Sequence, residues 1–245
     1  MSKLLAYPLS IVYNLFFGLT LLVFHPIQWI CLTIFGYQAH KASVSIMNFF
    51  LVLWTRILGT RYSYFSEEQL PKGKAVIIVA NHQSLYDIPY IIWKLRSLHP
   101  KFVAKKELGK GIPSVSFNLK YGGSVLIDRK SPDQSLKAIA SLGTYIEKHK
   151  RTAVIFPEGT RSKDGQPRKF KRGGLKILME NSPNAVILPI SISNSWKMHR
   201  WGAFPNGIGV HLKFYLHPPI ENSGDSEIII DKVEQLIKSG IQNNG

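Results

Sequence analysis

The chain holds one cysteine, Cys31, in 245 residues. That excludes a disulfide framework and any cysteine-based zinc site. Acidic residues are also scarce, 15 Asp and Glu against 31 Lys and Arg, for a formal net charge of +16 at pH 7. So basic a chain calls for an anionic partner, either nucleic acid or an anionic membrane and phosphate-bearing molecules. The eight histidines show no ligand spacing, so no metal site is expected. Internal repeats and low-complexity tracts are missing too, which leaves one domain with an appendage as the expected organisation. Hydrophobic residues make up 45% of the chain, enough for a sizeable core.

Charge is missing altogether from residues 4–40. Residues 4–24 alone match the roughly 20 apolar residues a bilayer crossing needs. Pro8, Asn14, Gly18 and an expected break at His25-Pro26 make this a poor simple span. A second helical stretch is expected over about 42–58. One or two spans compete with a helical hairpin dipping into one leaflet, with Trp29, Tyr37 and Trp54 near the interface, and the hairpin is preferred. A signal peptide is disfavoured, because the run is too long and no small-x-small cleavage site follows it. Basic residues from Lys41 onward (Arg56, Arg61, Lys72, Lys74) place the downstream domain on the cytoplasmic side of a membrane. The expected division is therefore 1–60, a membrane-associated helical segment, and 61–245, a separate folded domain.

After Gly59 the pattern changes to short β-type runs alternating with helical ones. Strands are expected at 61–65, 75–80, 101–104, 124–128, 152–156, 186–191 and 210–216. Helices are expected at 88–98, 113–121, 132–148, 173–180 and 226–239, with Pro113 and Pro132 suited to first turns. This alternation predicts an α/β domain with a mixed, largely parallel sheet covered by helices. Several strands are apolar throughout, as expected where both faces are covered. Sites in such sheets collect at the carboxyl ends of the strands.

Two blocks sit at such ends. Asn81-His82-Gln83-Ser84-Leu85-Tyr86-Asp87 follows the apolar run 75–80, and Phe156-Pro157-Glu158-Gly159-Thr160-Arg161-Ser162 follows 152–155. A His and an Asp five residues apart suit a general-base dyad: the Asp holds one ring nitrogen and the other faces a substrate hydroxyl. Alternatively, Asp87 simply caps a helix that begins at Ile88-Pro89.

At these blocks the chain resembles the glycerolipid acyltransferases, typified by the lysophosphatidic acid acyltransferases. The family's N-H-x-S-x-x-D matches Asn81, His82, Ser84 and Asp87, and its F-P-E-G-T-R-S matches 156–162 in full. A Gly, an apolar triplet and an Arg match Gly123 through Arg129. Leu188-Pro189-Ile190 matches the fourth block, with Leu where Val is commoner. The resemblance covers about residues 75–195. It implies that His82 takes the proton from the acceptor's glycerol hydroxyl, which attacks the thioester carbonyl of an acyl donor, while Asp87 orients the imidazole. No protein nucleophile is then needed, so Ser84 is expected as a turn or capping residue, with an acyl carrier as the alternative.

The resemblance further implies that Arg129 and Arg161 hold the acceptor phosphate, a task suited to the planar guanidinium fork. Lys105 and Lys106 join them as candidates because they follow a strand. Glu158 would bind a glycerol hydroxyl, orient Arg161 or pair with a neighbouring Arg. Gly159 would permit a tight turn, and Thr160 completes the substrate-binding set. A basic run from Arg161 to Lys176 suits anionic headgroups, coenzyme A phosphates or an acidic carrier protein. The tail beyond Glu221 reads as an amphipathic packing helix with a frayed end.

A nucleic-acid-binding module is the rival of another class. It would interleave aromatics with basic residues, whereas the aromatics here gather in the apolar N-terminus, so no nucleic-acid partner is expected. An inert membrane-binding scaffold of the same fold has no need of His82, Asp87, Glu158 and Arg161 together. The expected activity is transfer of a fatty acyl group from acyl-CoA or acyl carrier protein to the sn-2 hydroxyl of 1-acyl-glycerol-3-phosphate, giving phosphatidic acid. Another lyso-lipid acceptor is the alternative. No cofactor is expected beyond the thioester co-substrate, and the expected partners are a phospholipid surface, the lyso-lipid and the acyl donor.

Overall fold

The structure, a computed structural model, describes residues 3–66 and 68–241. Two long helices come first, α1 (Lys3–Ile34) and α2 (Gly36–Trp54). They form an antiparallel hairpin: Phe16 stacks on Trp54, Phe24 meets Phe50, and Trp54 Nε1 donates to Thr20 Oγ1 at 2.9 Å. The expected break at His25-Pro26 does not occur, and the second helix starts at Gly36 rather than near residue 42. Pro26 leaves the carbonyl of Leu22 without its N–H partner, but neighbours support this stretch. Ser114 Oγ donates to the adjacent carbonyl of Leu21 at 2.6 Å, and Ser114 N–H donates to His25 Nδ1. The chain reverses instead where Gly36 adopts φ +79°, a conformation open to glycine and costly for residues with a Cβ.

The rest is an α/β layer structure. Its strands are β1 (Arg61–Ser66), β2 (Val76–Ala80), β3 (Pro100–Lys105), β4 (Val125–Ile127), β5 (Thr152–Ile155), β6 (Val186–Ser193), β7 (His211–Leu216) and β8 (Ile220–Glu221). Its helices are α3 (Asp87–Lys94), α4 (Val115–Tyr121), α5 (Pro132–His149), α6 (Arg172–Glu180) and α7 (Ser226–Ser239). The sheet order is β1-β7-β6-β2-β5-β3-β4, and β8 pairs with β6. Pairing is parallel except where β6 meets β7 and β8. The fold is thus the mixed, mostly parallel sheet flanked by helices that the alternation predicts. The β8 pairing, only two residues long, carries no sequence signal.

Alternation along β2 explains its uniform apolarity. Val76, Ile78 and Ala80 enter one core, with Tyr86, Tyr90 and Ile91 from the α3 side and Ala6 and Tyr13 from α1. Ala75, Ile77 and Val79 enter another, with Leu142 and Ile146 of α5, Leu175 and Leu178 of α6, and Ile230 and Val233 of α7. A strand covered on both faces has no polar side to show. Pro132 opens α5 as expected, whereas Pro113 lies two residues before α4 and Ser114 takes φ +61°. The tail forms α7, capped by the Asp225 carboxylate on Glu227 N–H and tied to α6 through Arg172–Glu227 at 2.7 Å. The expected frayed end lies largely at residues 242–245, outside the described residues.

Candidate active site

β2 and β5 are parallel neighbours, with Val79 level with Ile155, so the two sequence blocks leave the sheet side by side at the same edge. His82 Nδ1 lies 2.8 Å from Asp87 Oδ2. Asp87 is sealed from solvent as the first residue of α3, where the helix dipole favours a carboxylate. Five donors converge on its two oxygens. Oδ2 accepts the Gln83 and Ser84 N–H groups at 2.8 and 2.9 Å beside the His82 ring, and Oδ1 accepts Ser195 Oγ at 2.5 Å and Ser84 Oγ at 3.3 Å. With the carboxylate as acceptor, Nδ1 carries the proton and Nε2 presents a lone pair. Helix capping and imidazole orientation are therefore one arrangement rather than competing ones.

The imidazole is held from below as well. Phe156 stacks on it with ring centroids 4.2 Å apart, which leaves the His82 side chain 15% exposed. Asn81 pins the loop to β6 by a reciprocal pair of hydrogen bonds with the backbone of Ile192, at 2.8 and 2.7 Å. Gln83 accepts the N–H of Ser195 at 3.0 Å and donates to the carbonyl of Gly165 at 3.2 Å. The loop after β2 is thus tied to the turn after β6 and to the basic loop after β5.

Glu158 is buried behind His82 and accepts its backbone N–H at 3.2 Å through Oε1. Oε2 is enclosed and makes no hydrogen bond of good geometry. Burial pushes this carboxyl up to about 7, against the partial opposing effect of the His82 and Arg168 backbones. Of the three expected roles, pairing with a neighbouring Arg is not seen: among the described residues Glu158 forms no ion pair. Gly159 takes φ +70° in a turn closed by its N–H on the Phe156 carbonyl, and the Lys171 side chain lies over it. Thr160 and Arg161 follow, both exposed. Ser162 N–H returns to the carbonyl of His82 at 2.8 Å.

The remaining cations stand further along the edge. Lys105 pairs in register with Ile127, so Lys105 and Lys106 lie beside Asp128 and Arg129 at the ends of β3 and β4. All three basic residues are exposed, and Lys106 sits 3.6 Å from Asp128. In strand spacings this puts them about 10 Å (β3) and about 14 Å (β4) from β2. His82, Asp87, Glu158 and the 159–161 turn come together, while Lys105, Lys106 and Arg129 form a separate basic rim.

The sequence reading missed Ser195, which completes the Asp87 cage, and His199, whose ring packs on Tyr86 at 5.5 Å. Burial, and then Arg161, hold the His199 imidazole below its usual range, with the Gly202 backbone and then Asp87 partly opposing. Both residues follow β6 in a turn with no motif to mark it. Among the described residues no three His, Cys, Asp or Glu side chains gather as metal ligands.

The family model described as Acyltransferase matches residues 62–193. The 1-acyl-sn-glycerol-3-phosphate acyltransferase of Pseudomonas aeruginosa is 30% identical over 171 residues, 69% of this chain and 64% of that protein. The enzyme of the same name from Helicobacter pylori is 36% identical over 137 residues, 53% of this chain and 55% of that one. The matched part of the chain thus spans less than two thirds of either relative. The crystal structure of the 1-acyl-sn-glycerophosphate acyltransferase of Thermotoga maritima superposes with a TM-score of 0.65 at 25% identity, covering 93% of this chain and 95% of that one.

Proposed function

The chain belongs to the acyltransferase family, and from that premise we propose that it transfers a fatty acyl group from a thioester to the sn-2 hydroxyl of 1-acyl-glycerol-3-phosphate, giving phosphatidic acid. The reading rests on the 2.8 Å contact between His82 Nδ1 and the caged Asp87. His82 Nε2 removes the hydroxyl proton as the oxygen attacks the thioester carbonyl, and Asp87 stabilises the imidazolium that forms. The proton then passes to the leaving thiolate of coenzyme A or of a carrier protein's prosthetic arm, so His82 ends the cycle neutral. No protein nucleophile is required.

The acceptor phosphate goes to Arg161, which leaves the same turn as Gly159, with the rim of Arg129, Lys105 and Lys106 beyond it. Glu158 acts from behind, by fixing the backbone of His82. The names of the relatives support the bare phosphomonoester as acceptor: both are called 1-acyl-sn-glycerol-3-phosphate acyltransferases.

The hairpin lies in one leaflet, with the catalytic layer on the cytoplasmic face. Both helices are long and apolar enough to cross a bilayer. Yet Ala6 and Tyr13 are buried in the catalytic core, Ser10 accepts the N–H of Asn206, and Leu21 and His25 bond to Ser114, so contacts to the α/β layer run along most of α1. Spanning would tear these contacts apart. The opposite face exposes Leu4, Ile11, Leu15, Leu22 and Trp29, which suits an interfacial helix.

The test is acyl transfer by purified wild type and His82→Ala in detergent, on a panel of lyso-lipids with both kinds of thioester. Selective acylation of 1-acyl-glycerol-3-phosphate and a loss of at least about a hundredfold in His82→Ala are expected. Preference for another lyso-lipid overturns the acceptor, and an active His82→Ala overturns the mechanism.

A further inference from the structure

The amino edge of the sheet, at the other end of the strands from His82, carries a cluster of charge that the reaction does not use. Lys101, the second residue of β3, is only 6% exposed. Its ammonium lies 5.2 Å from the centre of the Tyr37 ring, and the Arg151 guanidinium lies 4.6 Å from the same ring and 5.0 Å from that of Tyr145. Lys41, one turn beyond Tyr37 on α2, is the third cation. None of the ion pairs among the described residues involves Lys41, Lys101 or Arg151. A buried cation with no counter-charge is costly, and such charges are ordinarily paired.

We propose that Lys41, Lys101 and Arg151 form a binding site for a phosphate anion, separate from the acyl-transfer site. The side chains placed against it from the packed elements, Tyr37, His99, Tyr145 and His149, carry no negative charge. Tyr37 comes from α2, with its phenol donating to the Gly122 carbonyl at 3.1 Å and sharing a 3.0 Å hydrogen bond with His99 Nε2. Tyr145 and His149 come from α5. A crevice beside the cluster is lined by Lys41, Arg96, His99, Asn118 and Ser124, with no carboxylate. Burial, then Arg151 and Lys41, push the Lys101 ammonium down to about 7, and no acidic group offsets them. A bound phosphate supplies the missing counter-charge.

Position separates this site from the acceptor's own phosphate. Arg151 precedes β5 and Glu158 follows it, so the length of the strand and its turn, roughly 20 Å, lies between them. The hydroxyl and phosphate of a lyso-lipid acceptor are only a few bonds apart. The cluster adjoins the hairpin turn instead, where Phe35 is 69% exposed among other apolar residues. Phosphate at that level belongs either to a lipid headgroup or to the solution.

The experiment uses the full chain and reads binding, not turnover, so it is independent of the acyl-transfer reading. Wild type, Lys101→Met, Arg151→Gln, Lys41→Gln and the control Lys137→Gln, which removes a charge from an exposed face of α5, are compared in two arms. One measures co-sedimentation with phosphatidylcholine vesicles with and without phosphatidic acid. The other measures thermal stabilisation by inorganic phosphate in detergent. Each cluster variant is expected to lose about fivefold in preference for phosphatidic acid vesicles, against little change in the control. Loss in the vesicle arm assigns a lipid headgroup, and loss of phosphate stabilisation alone assigns free phosphate. Should Lys101→Met fail to fold, the half-buried Lys41 and Arg151 decide the matter. Cluster variants that behave as the control does in both arms overturn the site.

Discussion

Ser195 Oγ stands 2.5 Å from Asp87 Oδ1, joining the turn after β6 to the first residue of α3. Asp87 therefore meets His82 with one oxygen and is braced on the other by a residue more than a hundred positions away. Ser195→Ala leaves Oδ1 with only the longer contact to Ser84. A hydrogen bond to a charged group is worth about 1.5–3 kcal/mol. The expected result is a fall in kcat of about tenfold with KM for the acceptor little changed, and partial recovery in Ser195→Thr. Equal losses in both variants, or a change in KM alone, would contradict a bracing role.

Glu158 sets a pH dependence of stability. Its carboxyl, ordinarily near 4.5, is pushed up to about 7 by burial. Between those values the unfolded chain sheds the proton while the folded one keeps it, so stability falls with rising pH and levels off above 7. The loss is on the order of 3 kcal/mol for a shift of this size. Glu158→Gln keeps an oxygen for the His82 N–H and removes the titration. Buried histidines held below their usual range, such as His199 and His217, push the other way, so the readout is a difference. From pH 5 to pH 8 wild type should lose stability in urea relative to Glu158→Gln, and parallel curves for the two would refute the assignment.

At Gly159 the backbone, more than the space, forbids a side chain. A Cβ there would meet Lys171 Cδ at 3.3 Å, the end of a flexible chain, but φ is +70°. Gly159→Ala should cost about 1–2 kcal/mol in stability and lower activity by displacing Thr160 and Arg161. Adding Lys171→Ala should not restore either, since the strain is conformational. Full rescue by the double variant would show that crowding was the cause.

The membrane face is testable apart from catalysis. Leu15 and Leu22 sit two turns apart on α1, each more than half exposed. Burying each in lipid contributes about 1.5–3 kcal/mol. Leu15→Glu with Leu22→Glu should release the protein from phosphatidylcholine vesicles while leaving its melting temperature in detergent within a few degrees. A large fall in melting temperature would mean that the two leucines belong to the core.

What the sequence made legible followed from strong local signals. The apolar run through Val76–Ala80 marks a strand with two buried faces, and the polar blocks that follow 80 and 155 mark its carboxyl edge. The parallel pairing of β2 with β5 then brings His82 and Glu158 together, as alternation of elements leads one to expect. Where the reading failed, the deciding interaction was long-range or rested on glycine. Pro26 looked like the end of α1, yet Ser114, far along the chain, supports that stretch, and Gly36 makes the turn. Ser195 looked like any serine after a strand, since its partner lies across the sheet. Lys101 opens an expected strand like any surface lysine, and nothing local tells that Tyr37 and Arg151 close over it.

In the proposed arrangement the hairpin rests in one leaflet, along the catalytic layer. Under the proposed reaction, every molecule it makes is left on the side where the protein rests. Each turnover replaces a single-chained, wedge-shaped molecule by a double-chained one of wider cross-section, so that one monolayer expands relative to its opposite. The resulting area imbalance bends the sheet of lipid, and growth on both sides then depends on a separate means of carrying polar headgroups across.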